Sequence, residues 1–179
     1  MTGSQRIGVI AKPSDAAVLT TVERLVRYLA ERGLTVIPDA VAAQVSGAEA
    51  VARAELGGQC DLCIVVGGDG TLLDAGRYMA PHDVPIVGVN RGRLGFMVDV
   101  SPDDMSARLD EILDGQGIRE ARLMIEAQPD VQGAPIASFL ALTDVVVRNP
   151  AFHRLPDFDT RINGASVQRP LSAGPLISE

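Results

Sequence analysis

From Arg6 to Asn90, short apolar runs alternate with longer stretches in which apolar residues recur at helical spacing. Arg6 to Ala11 (Arg-Ile-Gly-Val-Ile-Ala) predicts a first strand, and Lys12-Pro13-Ser14-Asp15 a turn into a helix. Val18, Val22, Leu25, Val26 and Leu29 share one face of that helix, and Glu31-Arg32-Gly33 supplies its stop. Leu34 to Ile37 predicts a second short strand. Ala42 to Leu56 is alanine-rich and predicts a partly helical segment with a loop near Ser46-Gly47. Leu62 to Val66 is apolar throughout, as a strand covered on both faces must be. Helical spacing returns at Leu72, Leu73, Ala75 and Met79, and Pro85 to Asn90 predicts a fourth strand. This alternation implies an α/β domain, a mostly parallel sheet flanked by helices with right-handed crossovers. Ser101-Pro102-Asp103-Asp104 then opens a helix, with Pro at its first position and acids in its first turn. That helix runs to about Asp114, where Gly115-Gln116-Gly117 ends it.

The pattern changes at Ile118. Arg122 to Gln128, Ser138 to Arg148 and Phe158 to Val167 predict strands separated by Pro, Gly and Asp turns. The boundary falls near Gly117: an α/β domain over 1–117, then a partial all-β region over 118–179. Three or four strands are few for a self-sufficient β domain.

Composition adjusts this picture only slightly. The chain has 179 residues, 46% of them hydrophobic, enough for one substantial domain or one plus a fragment. Aromatics are 3% and Trp is missing, so the core must be built from Val, Leu, Ile and Ala. A formal net charge of −7 argues against a dedicated nucleic-acid binder, which needs clustered Lys and Arg. No stretch is long and apolar enough to span a bilayer, and the N-terminus lacks a signal-peptide pattern; a cytoplasmic soluble protein is expected. Cys60 and Cys63 form a C-x-x-C, but Cys63 lies inside the third strand, and His82 and His153 are isolated. Both thiols therefore read as small buried hydrophobes rather than a redox pair or zinc ligands.

The candidate chemistry lies where the third strand stops, at Gly67-Gly68-Asp69-Gly70-Thr71. Glycines let the backbone approach a ligand closely, and Thr71 stands where a helix N-cap is wanted. Strand, glycine turn and helix start aim free backbone N–H groups at an anion, usually a phosphate. The turn is neither a P-loop, which needs Gly-Lys-Ser/Thr, nor the dinucleotide fingerprint G-x-G-x-x-G. A bare carboxylate facing a polyphosphate would repel it, so Asp69 reads better as a general base or a metal contact. The plainer reading is a Gly-Asp-Gly surface turn, which rarely follows a fully buried strand. In a parallel sheet ligands bind at the carboxyl ends of strands. There Lys12, Gly67 to Thr71 and Asn90 to Arg93 are expected to converge.

Gly67-Gly68-Asp69-Gly70-Thr71 together with Val89-Asn90-Arg91-Gly92-Arg93-Leu94-Gly95-Phe96 resembles the NAD kinase family. The first motif alone is shared with diacylglycerol kinases, sphingosine kinases and phosphofructokinases; the second is far more specific. Lipid kinases of this superfamily carry a Gly-Thr-Gly-Asn-Asp type motif, which is absent here. The likeness keeps register from Ile7 to about Val147. It implies transfer of the γ-phosphoryl of ATP, or of inorganic polyphosphate, to the adenosine ribose 2′-hydroxyl of NAD, giving NADP, with Mg²⁺ or another divalent cation. It makes 1–117 a nucleotide-binding domain and 118–179 an incomplete NAD-binding one. By the same resemblance Asp69 is the catalytic carboxylate. NAD contacts are implied at Asp69, Gly70, Thr143, Asp144, Arg154, Arg169 and Ser172. Phosphate or ATP contacts are implied at Lys12, Gly67, Gly68, Thr71, Asn90 and Arg93. Arg91 is either a further phosphate partner or a loop-surface residue. No protein metal ligand is assigned, because phosphate and water supply much of the shell of Mg²⁺.

Two departures qualify the resemblance. Where the family has Asn before an acid at the start of a Val-rich strand, this chain has Thr143-Asp144. A hydroxyl cannot pair an adenine edge with donor and acceptor at once, as an amide can. Arg154 falls where the family has a basic NAD contact, with Pro156 beside it unusual in a strand. Further on, Gln168-Arg169-Pro170 runs straight into Leu171-Ser172-Ala173-Gly174-Pro175, without the family's threonine- and glycine-rich segment. This reads as an internal deletion plus truncation and implies weak or absent turnover for the chain by itself. The alternative function is a catalytically impaired fragment serving as a nucleotide- or partner-binding module. Expected partners are small-molecule nucleotides, not nucleic acid or membrane. The family's homo-oligomers form through the β domain that is depleted here.

Overall fold

The computed structural model describes residues 5–13, 16–92, 95–98, 100–147, 158–168 and 176–178. The chain divides into two compact units, Met1–Ala121 and Arg122–Glu179, each described by itself. In the first unit, β1 (Arg6–Ala11), β2 (Thr35–Pro38), β3 (Leu62–Gly67) and β4 (Ile86–Asn90) form one sheet in the order β2-β1-β3-β4. All three pairings are parallel. The chain leaves β1 toward β2 on one side and leaves β3 toward β4 on the other. The two diverging connections start at the carboxyl ends of neighbouring strands, the place where open α/β sheets bind ligands.

Each element follows from its residues. In β3 every residue is buried, as the unbroken apolar run requires. Helix α1 (Ala16–Glu31) buries Val18, Thr21, Val22, Leu25 and Leu29 at helical spacing. It ends as Glu31-Arg32-Gly33 predicts: Gly33 takes φ +71°, donating to Ala30 O at 2.9 Å, while Leu34 N donates to Leu29 O at 3.0 Å. Two short helices, α2 (Ala43–Ser46) and α3 (Arg53–Leu56), flank a loop at Gly47. They are followed by α4 (Asp69–Met79) and α5 (Met105–Leu113). The core of this unit holds Ile7, Val9, Val22, Leu25, Ile64, Val66 and Leu109 among others, and no aromatic residue is buried among those described. No described helix is long and apolar enough to cross a membrane.

Cys60 and Cys63 are free, buried thiols, and burial pushes both above the usual thiol range, Cys63 far above it. Gly8 makes room for them: a Cβ there would lie 2.9 Å from Cys60 Sγ. They behave as small core residues.

Two helix starts differ from the sequence expectation. Thr71 is not an N-cap; α4 starts three residues earlier than that cap implies, with Gly68 as cap and Asp69 as its first residue. The glycine turn is shorter than the pattern suggests, because Thr71 folds back into the space that Gly67 leaves empty. A Cβ on Gly67 would lie 2.6 Å from Thr71 Oγ1. Helix α5 begins at Met105, not at Pro102, because Ser101 and Asp104 close a turn of their own. Ser101 Oγ accepts from Asp104 N at 3.1 Å and donates to Asp104 Oδ2 at 2.9 Å.

The second unit consists of paired short strands. Ile125–Ala127 pairs with Phe139–Ala141, Asp130–Val131 with Ala134–Pro135, Asp144–Val146 with Leu176–Ser178, and Thr160–Ile162 with Ala165–Gln168, all antiparallel. Of the three long strands expected from the sequence, Arg122 to Gln128 is shortened to Ile125–Ala127 and the other two are divided. Ser138 to Arg148 divides at Leu142-Thr143 into two strands with different partners, and its Arg148 lies outside the described residues. Phe158 to Val167 is a hairpin turning at Asn163 (φ +50°) and Gly164 (φ +84°), the left-handed pair of a tight two-residue turn. None of the described side chains here is buried; Val131, Ile162, Val167 and Leu176 are all more than half exposed.

Candidate functional site

The site is built on the carboxyl edge of the four-stranded sheet. Lys12 N donates to Val66 O at 2.9 Å and Arg91 N to Gly67 O at 2.8 Å, so the ladder continues one residue past β1 and β4. This brings the three predicted loops together at the end of β3. The Gly68 and Gly92 backbones pass so closely that a Cβ on Gly92 would lie 3.1 Å from Gly68 Cα. The contact is tight at Gly92, whereas a Cβ on Gly68 would meet Gly92 Cα at an ordinary 3.6 Å.

Asp69 leads off α4, where a carboxylate is favoured by the helix dipole. Its side chain is half-buried and turned toward the segment after β4. Oδ2 accepts from Phe96 N at 2.9 Å and Oδ1 from Met97 N at 3.2 Å. Gly95 lies directly under the carboxylate, and a Cβ at Gly95 would overlap both of its oxygens. Two acceptor bonds leave further lone pairs on an ionised carboxylate, so Asp69 is oriented yet still able to accept from a ligand hydroxyl.

The segment that orients Asp69 is itself pinned twice. Asn90 Oδ1 accepts from Gly92 N at 2.9 Å, and its Nδ2 donates to Val98 O at 3.2 Å. Arg91 is not a loose surface residue. Its half-buried guanidinium donates through Nε to Thr21 Oγ1 at 2.6 Å, and Thr21 donates to Ala17 O at 2.9 Å. Helix α1 therefore braces the loop that holds Asp69.

Of the residues named from sequence, Lys12, Gly67, Gly68, Asp69, Gly70, Thr71 and Asn90 gather at this edge. Lys12 and Gly70 are exposed, whereas Gly67 is buried. Asn90 uses its amide to shape the loop, and Thr71 packs over Gly67. Thr143 and Asp144 belong to the second unit, where the Thr143 hydroxyl donates to Asp144 Oδ2 at 3.4 Å. Arg93, Arg154, Arg169 and Ser172 lie outside the described residues. Sequence reasoning missed Gly95 as the seat of Asp69, Thr21 as the partner of Arg91, and an ion-pair network of Asp39, Arg53 and Asp74 beside the site. The described residues contain no group of three or more His, Cys, Asp or Glu side chains able to hold a metal. A divalent cation accompanying a polyphosphate is thus assigned no ligand among the described residues.

The chain matches a family model described as the ATP-NAD kinase N-terminal domain over residues 7–117. It is 38% identical over 177 residues to an NAD kinase of Azotobacter vinelandii, covering 97% of this chain and 60% of that one. To an NAD kinase of Chromohalobacter salexigens it is 40% identical over 175 residues, covering 96% and 60%. The chain thus spans 60% of the length of these curated relatives. Among solved structures it is similar in fold to an NAD kinase from Archaeoglobus fulgidus in complex with ATP (TM-score 0.73, 23% identity, 97% of this chain and 60% of that one). A yeast NADH kinase complexed with NADH is also similar in fold (TM-score 0.81, 18% identity, 96% and 56%).

Proposed function

The chain belongs to the ATP-NAD kinase family, and on that premise we propose that it carries the phosphoryl-transfer site that converts NAD to NADP. The donor is ATP or inorganic polyphosphate, and the acceptor is the 2′-hydroxyl of the adenosine ribose. The 2′-oxygen attacks the terminal phosphorus, the bond from that phosphorus to its bridging oxygen breaks, and the shortened polyphosphate leaves with the electron pair. The hydroxyl proton passes to the Asp69 carboxylate. Most of the acceleration in such a transfer comes from positioning and charge neutralisation, and one base orients the nucleophile.

The observation that carries this reading is the seating of Asp69: half-buried, gripped through both oxygens by Phe96 and Met97 amides, at the mouth of a glycine turn. A surface Gly-Asp-Gly turn has no need of a loop from the neighbouring strand to aim its carboxylate. Around it, Lys12, Gly67, Gly68 and the start of α4 are read as the phosphate-side wall, with Arg93 assigned to the same side. Asn90 and Thr71 are read as supports of that wall. Gly70, Thr143, Asp144, Arg154, Arg169 and Ser172 remain the proposed contacts to NAD. A divalent cation arriving with the donor would supply further charge neutralisation.

Calorimetric titration of the full chain with ATP and with NAD, separately, tests the nucleotide site. Each nucleotide is expected to saturate one site. Binding of neither would overturn the reading, and ATP binding without NAD would reduce the chain to a donor-binding module.

A further inference from the structure

The side chains of Asp39, Arg53 and Asp74 form a network that the proposed chemistry does not use. Asp39 follows β2 and is 1% exposed. Its Oδ1 accepts from Val41 N at 3.0 Å and Ala42 N at 2.8 Å. Arg53, the first residue of α3, donates to Asp39 Oδ2 through Nε at 2.9 Å and Nη2 at 2.7 Å, and Nη2 also reaches Ala11 O at 2.9 Å. The remaining arm, Nη1, donates to Asp74 Oδ2 at 2.7 Å. Burial pulls the Arg53 pKa down, but its hydrogen bonds to the Asp39 and Asp74 carboxylates, with their negative charge, outweigh it and the pKa is raised.

The geometry of these bonds is unequal in purpose. Those to Asp39 and Ala11 O join the carboxyl ends of β1 and β2, which the sheet already holds. The bond to Asp74 alone leaves the sheet and grips α4, five residues beyond Asp69. A planar guanidinium presents its donors in a rigid fork, so one end fixed at two strands fixes the other end in space. Helix α4 has no side-chain cap at its start and two glycines before it. Its first residue is held by the Phe96 and Met97 amides, and farther along Arg53–Asp74 is an ion pair that ties the helix back to the sheet.

We propose that Arg53 is a positioning residue for the site: it clamps α4 through Asp74 to the carboxyl edge of the sheet and so sets where Asp69 meets the Phe96 and Met97 amides. This deepens the reading of Asp69 as the base and rests on it for its functional meaning, while its mechanical content stands separately. Removing Arg53 itself would strand a buried carboxylate, so the informative variant is Asp74→Ala, which cuts the α4 arm and leaves Arg53 paired with Asp39.

The test is residue-resolved amide hydrogen exchange on the full chain. In Asp74→Ala the Phe96 and Met97 amides should exchange about tenfold faster, with Ile64 and Val65 of β3 unchanged as the reference for whole-unit opening. Asp74→Asn, whose amide oxygen still accepts from Nη1, should restore most of the protection. Unchanged exchange at Phe96 and Met97, or an equal rise at all four amides, would overturn the proposal. In parallel, Asp74→Ala should lower kcat for NADP formation with KM for NAD unaltered. If the unaltered chain makes no NADP, the kinase reading fails, and the exchange data still decide the clamp.

Discussion

Asp69→Asn lowers the rate of NADP formation by about two to four orders of magnitude while the fold stands, the range that a positioned base contributes. The amide has the shape of the carboxylate but only one acceptor oxygen, so either Phe96 N or Met97 N loses its partner. For a half-buried group that costs about 1 kcal/mol of stability, too little to unfold the domain. A thermal melt close to that of the unaltered chain, measured beside initial rates, separates lost chemistry from lost structure. A variant that retained its rate would mean that the hydroxyl proton goes elsewhere.

Arg53→Met has the largest expected effect on stability. It leaves Asp39, 1% exposed, with three backbone N–H donors and no cation. Breaking a buried ion pair from one side costs about 3–5 kcal/mol, a large share of the 5–15 kcal/mol that holds an ordinary domain together. The midpoint of urea unfolding should fall accordingly. Arg53→Met combined with Asp39→Asn should recover part of the loss, because the amide needs no counter-charge. The exposed pair Glu23–Arg27 on α1 makes the contrast: Arg27→Met should barely move the same midpoint. If Arg53→Met and Arg27→Met destabilised equally, burial would not be what gives the Asp39 pair its weight.

The α/β half was legible in the chain because its signals are local and redundant. The run Leu62 to Val66 has one reading as a buried strand, and two glycines mark its end. Gly33 and Gly115 stop α1 and α5 where helical spacing lapses, each with positive φ. Thr71 misled because N-cap preference ranks residue types and does not measure how short a glycine turn can be. The β region was poorly legible for another reason. Strands of two to four residues hold at most two alternations, too few to establish a period of two. Asn163-Gly164 was a usable hairpin signal inside what looked like one strand.

For the site, the motif pointed to Asp69 and the loop from Asn90, both local features. The groups that hold them were illegible because each is a pairing across sequence distance: Arg91 to Thr21, and Arg53 to Asp39 and Asp74. Only the order β2-β1-β3-β4 brings them to one edge. Arg53 sits in a short helix of ordinary composition, and nothing in its neighbours marks it.

The most direct test of the account is to incubate the full chain with NAD, ATP and Mg²⁺ and follow NADP by an enzymatic cycling assay. NADP should accumulate slowly and steadily, in proportion to the chain added, require ATP, and be lost in Asp69→Asn. Release of ADP without NADP while both nucleotides are bound, or NADP formed equally well by Asp69→Asn, would contradict that expectation.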